Sequence, residues 1–354
     1  MVEPPPDVTP EVFRRWRDAR RGAFAGEDLS NPYWSWLIRA EQSAYGANQH
    51  FGGPSSFGGK PAWSADRFGQ SETELPDGRR VLIAGEHEDY YDPDFFIYND
   101  IILWAPDDTL TILGYPEEVF PPTDFHSATL VGGELVLVGS LAYPKQRRLG
   151  ETAIVRVTVD GWRVAVQGSD GEGPGWIHRH EATLEDGSLR ITGGLVEVDE
   201  TGRLMENIDD YRLWLDDWRW ERLTERDWPL WELRRLDGKR NELWEMRQWL
   251  WNQEHDSGSS VEYPEPHDRR ALEELYLPAT AHESLDSDEY DITRVEVAGV
   301  VVRYQEGFEA VTMSVEGALP GATIAELRDE LRSKLQKATG EPWGAAQLRG
   351  SPTE

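Results

Sequence analysis

The stretch from Phe125 to Gly139, FHSATLVGGELVLVG, decides the fold because its pattern recurs along the chain. Its closing glycine has counterparts at Gly85 and Gly193, and each interval is 54 residues. Self-similarity at a fixed period of this length indicates a repeat architecture in which each repeat is one supersecondary unit. The sequence therefore predicts a tandem array of similar units.

Each repeat contains two β-hairpins. Short apolar runs alternate with tight turns of the kind that glycine and aspartate favour, at residues 76–78, 106–108, 132–133, 160–161 and 185–187. A recurring four-stranded antiparallel unit of about 50 residues is typical of a propeller blade. His126 recurs as His180 at the same interval, so we expect both histidines to have a structural role within the blade.

Several short motifs are found in these repeats. They are HSAT at 126–129, HEAT at 180–183, the pair Gly193-Gly194, Tyr211 followed by Trp218, and Trp162 leading through GSDGEGP to His180. With these motifs the repeats resemble the kelch family of β-propellers. The resemblance covers about 160 of the 354 residues, and the first unit has SETE at 71–74 in place of the HSAT element. It implies a mainly β fold of four-stranded antiparallel blades, with binding through the long loops that share one face.

The composition shifts along the chain predict six segments. They are an N-terminal helical and loop extension at 1–60, three kelch-like blades at 61–225, a tryptophan-rich helical segment at 226–253, a linker at 254–269, a ββα module at 270–340 and a tail at 341–354.

Three blades are one fewer than the usual minimum of four for a closed propeller. Open sheet faces and edges are an aggregation hazard, so something must cover them. We consider three candidates for this cover: a second copy of the chain in a homodimer that forms a six-bladed ring, the N-terminal helices, and the segment from Trp214 to Trp251. The last is favoured, because half of the 16 tryptophans lie in it and such density indicates a large buried contact.

The composition excludes several classes of protein and site. The chain has no cysteine, so disulfides and thiolate metal sites are excluded and a reducing compartment is favoured. A net charge of −30 argues against nucleic acid and favours a cationic patch on a protein partner. No run of 18 apolar residues or signal peptide is found. We expect a cytoplasmic protein with no membrane partner and no cofactor.

The long connections between hairpins provide the candidate binding residues. The connection from Glu86 to Asp100 is rich in acids, and the one from Ser169 to Arg179 contains Trp176 and His178. Carboxylates are the ligands that hard divalent cations prefer, which makes Glu88, Asp89, Asp92 and Asp94 candidate metal ligands. The candidates for the binding face are His87, Glu88, Asp89, Tyr90, Tyr91, Asp92, Asp94, Trp176 and His178.

Two functions follow from these patterns. The first is a non-catalytic kelch-like protein that recognises a macromolecular, cationic partner through its long-loop face. The alternative is a metal-dependent enzyme with its centre near His87, Glu88, Asp89 and His178, because a His-x-His pair on a strand can hold a transition metal. The repeat explains His180 without a metal, which leaves His178 without a structural explanation.

Overall fold

A computed structural model describes residues 2–53, 60–88, 95–255, 261–285 and 291–350. The protein is mainly β and contains several antiparallel sheets. It divides into two compact units, an N-terminal unit, Met1–Glu225, and a C-terminal unit, Arg226–Glu354. Every helix in the described part of the chain is too short or too polar to cross a lipid bilayer.

In the described part of residues 1–60, three short α-helices lie on either side of the short strand at Glu27–Asp28. The side chain of Thr9 accepts a hydrogen bond from the amide of Val12, and Asn31 does the same for Trp34. Each cap is followed by a proline at the first helical position, where the missing N–H costs nothing. The helices are α1 (Pro10–Trp16), α2 (Pro32–Arg39) and α3 (Ala44–Phe51).

The rest of the N-terminal unit consists of short strands. They are β1 (Glu27–Asp28), β2 (Ser71–Glu74), β3 (Arg80–Ile83), β4 (Glu86–His87), β5 (Phe96–Ile97), β6 (Ile101–Trp104), β7 (Leu110–Gly114), β8 (Ser127–Val131), β9 (Glu134–Val138), β10 (Ile154–Thr158), β11 (Val164–Val166), β12 (Asp170–Gly171), β13 (Ile177–His178), β14 (Glu181–Glu185), β15 (Ser188–Thr192), β16 (Leu195–Glu197), β17 (Leu204–Glu206), β18 (Tyr211–Trp214) and β19 (Arg219–Arg222).

Three similar sheets form the body of this unit. Their strand orders are β1-β7-β6-β3-β2, β11-β10-β9-β8 and β12-β19-β18-β15-β14. We call them the first, second and third sheets, and call β2, β8 and β14 the inner strands, because these three lie beside one another. Two smaller sheets, β4-β5 and β13-β16-β17, lie in the long connections. No closed barrel or propeller is formed by the residues that the structure describes.

Strand β9 shows why the apolar run ELVLV has almost no polar interruption. Leu135 and Leu137 belong to the core shared with the first sheet, whereas Val136 and Val138 belong to the core shared with the third sheet. Successive side chains of a strand point to opposite faces, so a sheet that is buried on both faces needs apolar residues at consecutive positions. The second sheet is therefore the middle of the array.

The outer faces of the first and third sheets, at the two ends of the array, differ in what covers them. The N-terminal helices cover the outer face of the first sheet, where Trp34 and Leu37 pack with Ile102 and Ile112. The outer face of the third sheet instead carries charged side chains. Arg212, for example, lies within 4 Å of both Glu185 and Glu221. A terminal repeat with a polar outer face needs no further apolar cover.

The tryptophan-rich segment does not form one buried plug. Trp220 lies in the core between the second and third sheets, and Trp231 lies in the core of the C-terminal unit. Trp244 and Trp251 are 42% and 50% exposed. The expectation of a single large contact was wrong because the segment runs across the boundary between two units, each with its own core.

The C-terminal unit combines one sheet with three helices. The six strands pair in the order β21-β22-β23-β24-β20-β25. The elements are β20 (Leu230–Arg235), α4 (Leu243–His255), α5 (Arg269–Glu273), β21 (Glu283–Leu285), β22 (Ile292–Val297), β23 (Val300–Glu306), β24 (Val311–Val315), α6 (Gly321–Thr339) and β25 (Trp343–Arg349).

This unit differs from the sequence prediction in three places. Residues 292–306 form two strands around a turn at Ala298-Gly299, so that three consecutive strands, β22 to β24, precede α6 where the predicted ββα module has two. The segment after Trp228-Pro229 begins with strand β20, not with a helix. Strand β25 occupies the predicted tail and pairs with β20, and Trp343 is 2% exposed. Long-range pairing supplies the partners of these strands, and local sequence patterns do not show it.

Candidate functional site

The three inner strands begin at one end of the array, and the residues just before them occupy equivalent positions. Gly69, Phe125 and Arg179 have φ angles of 61°, 47° and 57°. The amide of Phe125 donates to the carbonyl of Gly69 at 2.9 Å, and the amide of Arg179 donates to the carbonyl of Phe125 at 2.8 Å. These hydrogen bonds link one sheet to the next. Glycine adopts this left-handed backbone conformation without strain. The backbone is therefore strained at the other two positions, Phe125 and Arg179.

The side chains of the two strained residues contact each other. The guanidinium carbon of Arg179 lies 3.6 Å from the centre of the Phe125 ring, a cation–π contact. Arg179 is exposed, and Phe125 is half-buried. A cationic and an aromatic group therefore stand together where the inner strands begin.

Two carboxyl groups lie beside this pair. Asp124 precedes Phe125 and is fully buried. Its Oδ1 accepts hydrogen bonds from the Ser140 hydroxyl at 3.0 Å and from the Ala142 amide at 2.7 Å. Asp124 Oδ2 and Oε2 of Glu86 are buried and have no hydrogen-bond partner among the described residues. A buried oxygen in that state retains its full desolvation cost.

The pKa values of these carboxyls are raised. Burial, followed by the negative charges of Asp124 and Glu88, raises the pKa of Glu86 to about 7, while Arg179 opposes the shift. Burial also raises the pKa of Asp124, against the hydrogen bonds from Ala142 and Ser140 and the nearby arginines. Both carboxyls are therefore closer to neutrality than ordinary acids despite these arginines, and a further cation in contact with their buried oxygens would favour the charged forms.

His178 forms another wall of this region. It is 1% exposed, and neither ring nitrogen has a hydrogen-bond partner among the described residues. Burial, with smaller contributions from Arg179 and Arg147, lowers the pKa of His178 to about 4, so the ring is neutral at pH 7. Arg147 also faces Glu197 at 3.5 Å. We refer to the set of charged and titratable side chains here as the inner-end cluster, which consists of Glu86, Asp124, Arg147, His178 and Arg179.

A cavity of about 460 Å³ lies next to the residues that hold Asp124. Ser140 and Ala142 line it together with Trp176, whereas the residues of the inner-end cluster are not part of its described lining. A volume of this size falls within the range of about 300 to 1,000 Å³ that small-molecule sites occupy. Ser140 and Ala142 therefore connect this cavity to the cluster through their hydrogen bonds to Asp124.

The residues predicted for a binding face are mostly buried where the structure describes them. Among His87, Glu88, Trp176 and His178, only Glu88 is exposed. Trp176 is 8% exposed, and its indole N–H donates to the carbonyl of Leu141 at 3.3 Å. A sequence in which charged and aromatic residues alternate does not show which of these side chains are buried when the loop folds. Asp89, Tyr90, Tyr91, Asp92 and Asp94 lie outside the described residues.

The predicted metal centre is not assembled by the described part of the chain. Nδ1 of His87 lies 2.9 Å from the carbonyl oxygen of Asp66, so the ring is packed against backbone. Within the described ranges, no three histidine, aspartate or glutamate side chains are grouped so that they could hold a metal ion. Glu88 and His178 belong to these ranges, and Asp89, Asp92 and Asp94 lie outside them.

His126 and His180 have matching partners. Nε2 of His126 lies 2.8 Å from the Ser71 hydroxyl, and Nε2 of His180 lies 2.9 Å from the Ser127 hydroxyl. Each histidine therefore contacts the first residue of the inner strand in the preceding sheet. Their partners are strand serines rather than turns.

Of the inner-end cluster, the sequence prediction included only His178 among the site residues. The residues that it missed are Glu86, Asp124, Phe125, Arg147 and Arg179. A different alignment of the first two repeats would have pointed to Phe125. It matches Gln70-Ser71 with His126-Ser127, since both pairs lie at the start of an inner strand. The interval of 54 residues between the glycines does not match Gly69 with Phe125, although the structure places them next to each other.

Comparison with known proteins gives no family assignment. No family model matches the chain, and no curated protein matches it. Among solved structures, "Structure of YjhT" is similar with a TM-score of 0.34 and 12% sequence identity, covering 72% of this chain and 86% of that chain.

Proposed function

We propose that the N-terminal unit is a short array of three kelch-like blades. The proposal is supported by three successive sheets that share a four-stranded antiparallel core and adjacent inner strands. The repeated links from Ser71 to His126 and from Ser127 to His180 support it further. In this proposal the array is open, with the helices at one end and the polar face of the third sheet at the other.

We propose that this array is a non-catalytic binding module for a protein partner, and that the inner-end cluster receives a positively charged side chain of that partner. One observation carries the proposal. Glu86 and Asp124 each have a buried carboxylate oxygen that lacks a hydrogen-bond donor among the described residues, and their charges repel each other. An arginine or lysine side chain placed between them would satisfy both oxygens and reverse the repulsion.

Two further features favour a cationic partner. The net charge of −30 attracts basic surfaces from a distance. The contact of the Phe125 ring with the guanidinium of Arg179 shows that a planar cation is stable at this end of the array. The lack of cysteine supports a cytoplasmic setting for this interaction.

An array of immobilised decapeptides tests this function, with single arginine or lysine residues in otherwise neutral sequences. The full chain should bind a subset of the basic peptides, and Glu86→Gln or Asp124→Asn should weaken that binding by about tenfold or more, as expected for loss of one partner of a buried charge pair. The matched control is Asp160→Asn, in an exposed hairpin turn between β10 and β11, which should leave binding unchanged.

Two results would overturn the proposal. If Asp160→Asn and Asp124→Asn weaken binding equally, only the overall negative charge attracts the peptides. If peptides without a basic residue bind as well as the basic ones, the cluster does not select a cation. Binding by the full chain should also strengthen between pH 6 and pH 8, because Glu86 with a pKa of about 7 gains its charge in that range.

A further inference from the structure

The C-terminal unit contains a cavity of about 740 Å³ that neither the sequence patterns nor the proposed function uses. It is lined by residues of α4 and α5 and by the ends of β22 and β23. The volume falls within the range of about 300 to 1,000 Å³ found for small-molecule sites, which combine apolar walls with a few placed polar groups.

Two carboxylates line this cavity from opposite strands. Asp291 and Glu306 lie across from each other at the open end of the β22–β23 pair, and the amide of Glu306 donates to the carbonyl of Asp291 at 2.9 Å. Like charges placed directly opposite on neighbouring strands destabilise each other. A cation near the pair therefore has a favourable place to bind.

Glu306 has a cationic partner, whereas the partner of Asp291 is neutral. Arg247 donates to Glu306 at 2.9 Å, and the hydroxyl of Tyr276 donates to the same oxygen at 2.7 Å. Burial and the charge of Glu306 hold the pKa of Tyr276 well above its usual range, so this hydroxyl remains a donor. Asp291 accepts from the amide of Gln305 at 3.0 Å, a neutral group. The pair of carboxylates with Arg247 keeps one net negative charge.

The other acids of the wall have arginines of their own. Glu245 is paired with Arg240 at 2.6 Å, and Glu273 is paired with Arg269 at 2.7 Å. The uncompensated charge of the cavity is thus at Asp291, beside the Glu306 carboxylate.

Exposed apolar side chains surround the same cavity. Phe308 is 70% exposed, Trp244 is 42% exposed and Leu277 is 41% exposed, and all three line it. Aromatic faces stabilise an organic cation and also bury the apolar part of a ligand. An anion is disfavoured because Arg247, the only cation in the described lining, already serves Glu306.

We propose that this cavity binds a small organic amine with an apolar body. The ammonium group lies against Asp291 and next to Glu306, where it neutralises the remaining charge. The apolar body packs against Trp244, Leu275 and Phe308, which line the cavity. This site belongs to the C-terminal unit and is independent of the inner-end cluster.

Isothermal titration calorimetry of the full chain with 2-phenylethylamine tests the proposal. The amine should bind with at least about tenfold higher affinity than 2-phenylethanol or 3-phenylpropionate, which have the same ring but a neutral or negative end group. Asp291→Asn should reduce the affinity for the amine by about fivefold or more. Asp329→Asn makes the same chemical change on α6, outside the cavity lining, and should have no effect.

The apolar half of the site has its own test. Phe308→Ala should weaken 2-phenylethylamine binding by about fivefold, whereas Leu236→Ala should not, although Leu236 is equally exposed at 68%. Glu86→Gln should leave amine binding intact, which separates this site from the inner-end cluster. Equal binding of the amine and the alcohol, unchanged binding in Asp291→Asn, or loss of binding in Glu86→Gln would each overturn the proposal.

Discussion

The hydroxyl of Ser127 lies 2.9 Å from Nε2 of His180, so the inner strand of the second sheet is tied to the start of the inner strand of the third. The same link joins Ser71 to His126 one sheet earlier. Both histidines are buried, at 8% exposure each. The repeated motif therefore holds successive sheets in register.

Breaking this link should destabilise the N-terminal unit. We expect Ser127→Ala to reduce the free energy of unfolding by about 1 to 3 kcal/mol, because it leaves His180 Nε2 buried without a partner. Hydrogen exchange of the β9 and β15 amides reports on this unit specifically. A double-mutant cycle with His180→Phe should show coupling. The pair Ser71→Ala and His180→Phe should be additive, since Ser71 bonds His126, and equal coupling in both cycles would contradict the assignment.

Gly139 should not tolerate a side chain. A Cβ atom there would lie 2.3 Å from the carbonyl oxygen of Ile177 and 2.7 Å from Cε1 of His180, and the φ angle is +73°. We expect Gly139→Ala to destabilise by at least about 2 kcal/mol. Gly133→Ala is the matched control, because nothing lies within 4 Å of its Cβ position. Urea denaturation, monitored by hydrogen exchange of the β9 amides, measures the loss of stability in each of the two variants. Similar losses for both variants would show that the close approach is not the cause.

The N-terminal unit should lose stability on acidification below pH 6.5. Burial lowers the pKa of His126 to about 3 and those of His178 and His180 to about 4. The unfolded chain takes up these protons near pH 6.5, whereas the folded chain does so only near pH 3 to 4, and the free energy of unfolding falls across that window. Each histidine contributes about 1 to 2 kcal/mol between pH 6.5 and pH 5.

Exchange rates of the β9 amides at pH 7 and pH 5, corrected for intrinsic chemistry, measure this loss. His178→Gln should weaken the pH dependence, because only His126 and His180 then contribute to it. His282→Gln, at an exposed position, should leave it unchanged. An unchanged slope in His178→Gln would refute the claim that this ring is held neutral.

Glu86 should titrate near pH 7, and its effect on the stability of the folded state should depend on pH in the opposite sense to that of the buried histidines. Its pKa of about 7 means that the folded state keeps a proton between pH 4.5 and pH 7 that the unfolded chain has released, so its contribution to stability falls as pH rises through that window. Carbon-13 NMR of glutamate-labelled protein should show a carboxyl resonance with a midpoint near pH 7 that disappears in Glu86→Gln. Glu72 is the control, because the hydrogen bond from Arg80 lowers its pKa. A spectrum in which every glutamate titrates below pH 5 would remove the basis for the cationic site.

Strand β25 should be essential to the C-terminal unit. Trp343 is 2% exposed and belongs to its main core, so Trp343→Ala should cost about 3 to 5 kcal/mol. Trp251→Ala, at a position 50% exposed, should cost much less. Exchange of the β20 amides measures both. Equal effects would mean that residues 343–349 behave as a tail.

Sequence patterns predicted the structure best where the structure depends on residues that are close together in the chain. The pairs Thr9-Pro10 and Asn31-Pro32 lie at the starts of α1 and α2, as their capping chemistry favours, and the glycines at 85, 139 and 193 all have positive φ angles. The hairpins of the second sheet also lie where the turns predict them. Turn chemistry and capping act over a few residues, so one sequence shows them.

The candidate site was less predictable. The acidic run after Glu86 predicts metal ligands in a loop, whereas the site depends on Glu86 and Asp124, whose carboxylate oxygens Oε2 and Oδ2 are buried. Burial depends on which loops fold inward, and the cation–π contact between Phe125 and Arg179 joins residues from different repeats. Neither property can be read from the spacing of charges.

The sequence by itself determined the repeat FHSATLVGGELVLVG, the mainly β character and the strand boundaries of the second sheet, because alternation and turn residues are local. Only the tertiary structure decided what covers the ends of the array, where Trp343 pairs, and which polar side chains meet at the inner strands. Those outcomes depend on contacts between residues far apart in the chain, such as Ser127 with His180 and Leu233 with Ala345. Long-range contacts of this kind follow from the complete packing and leave no periodic trace in the chain.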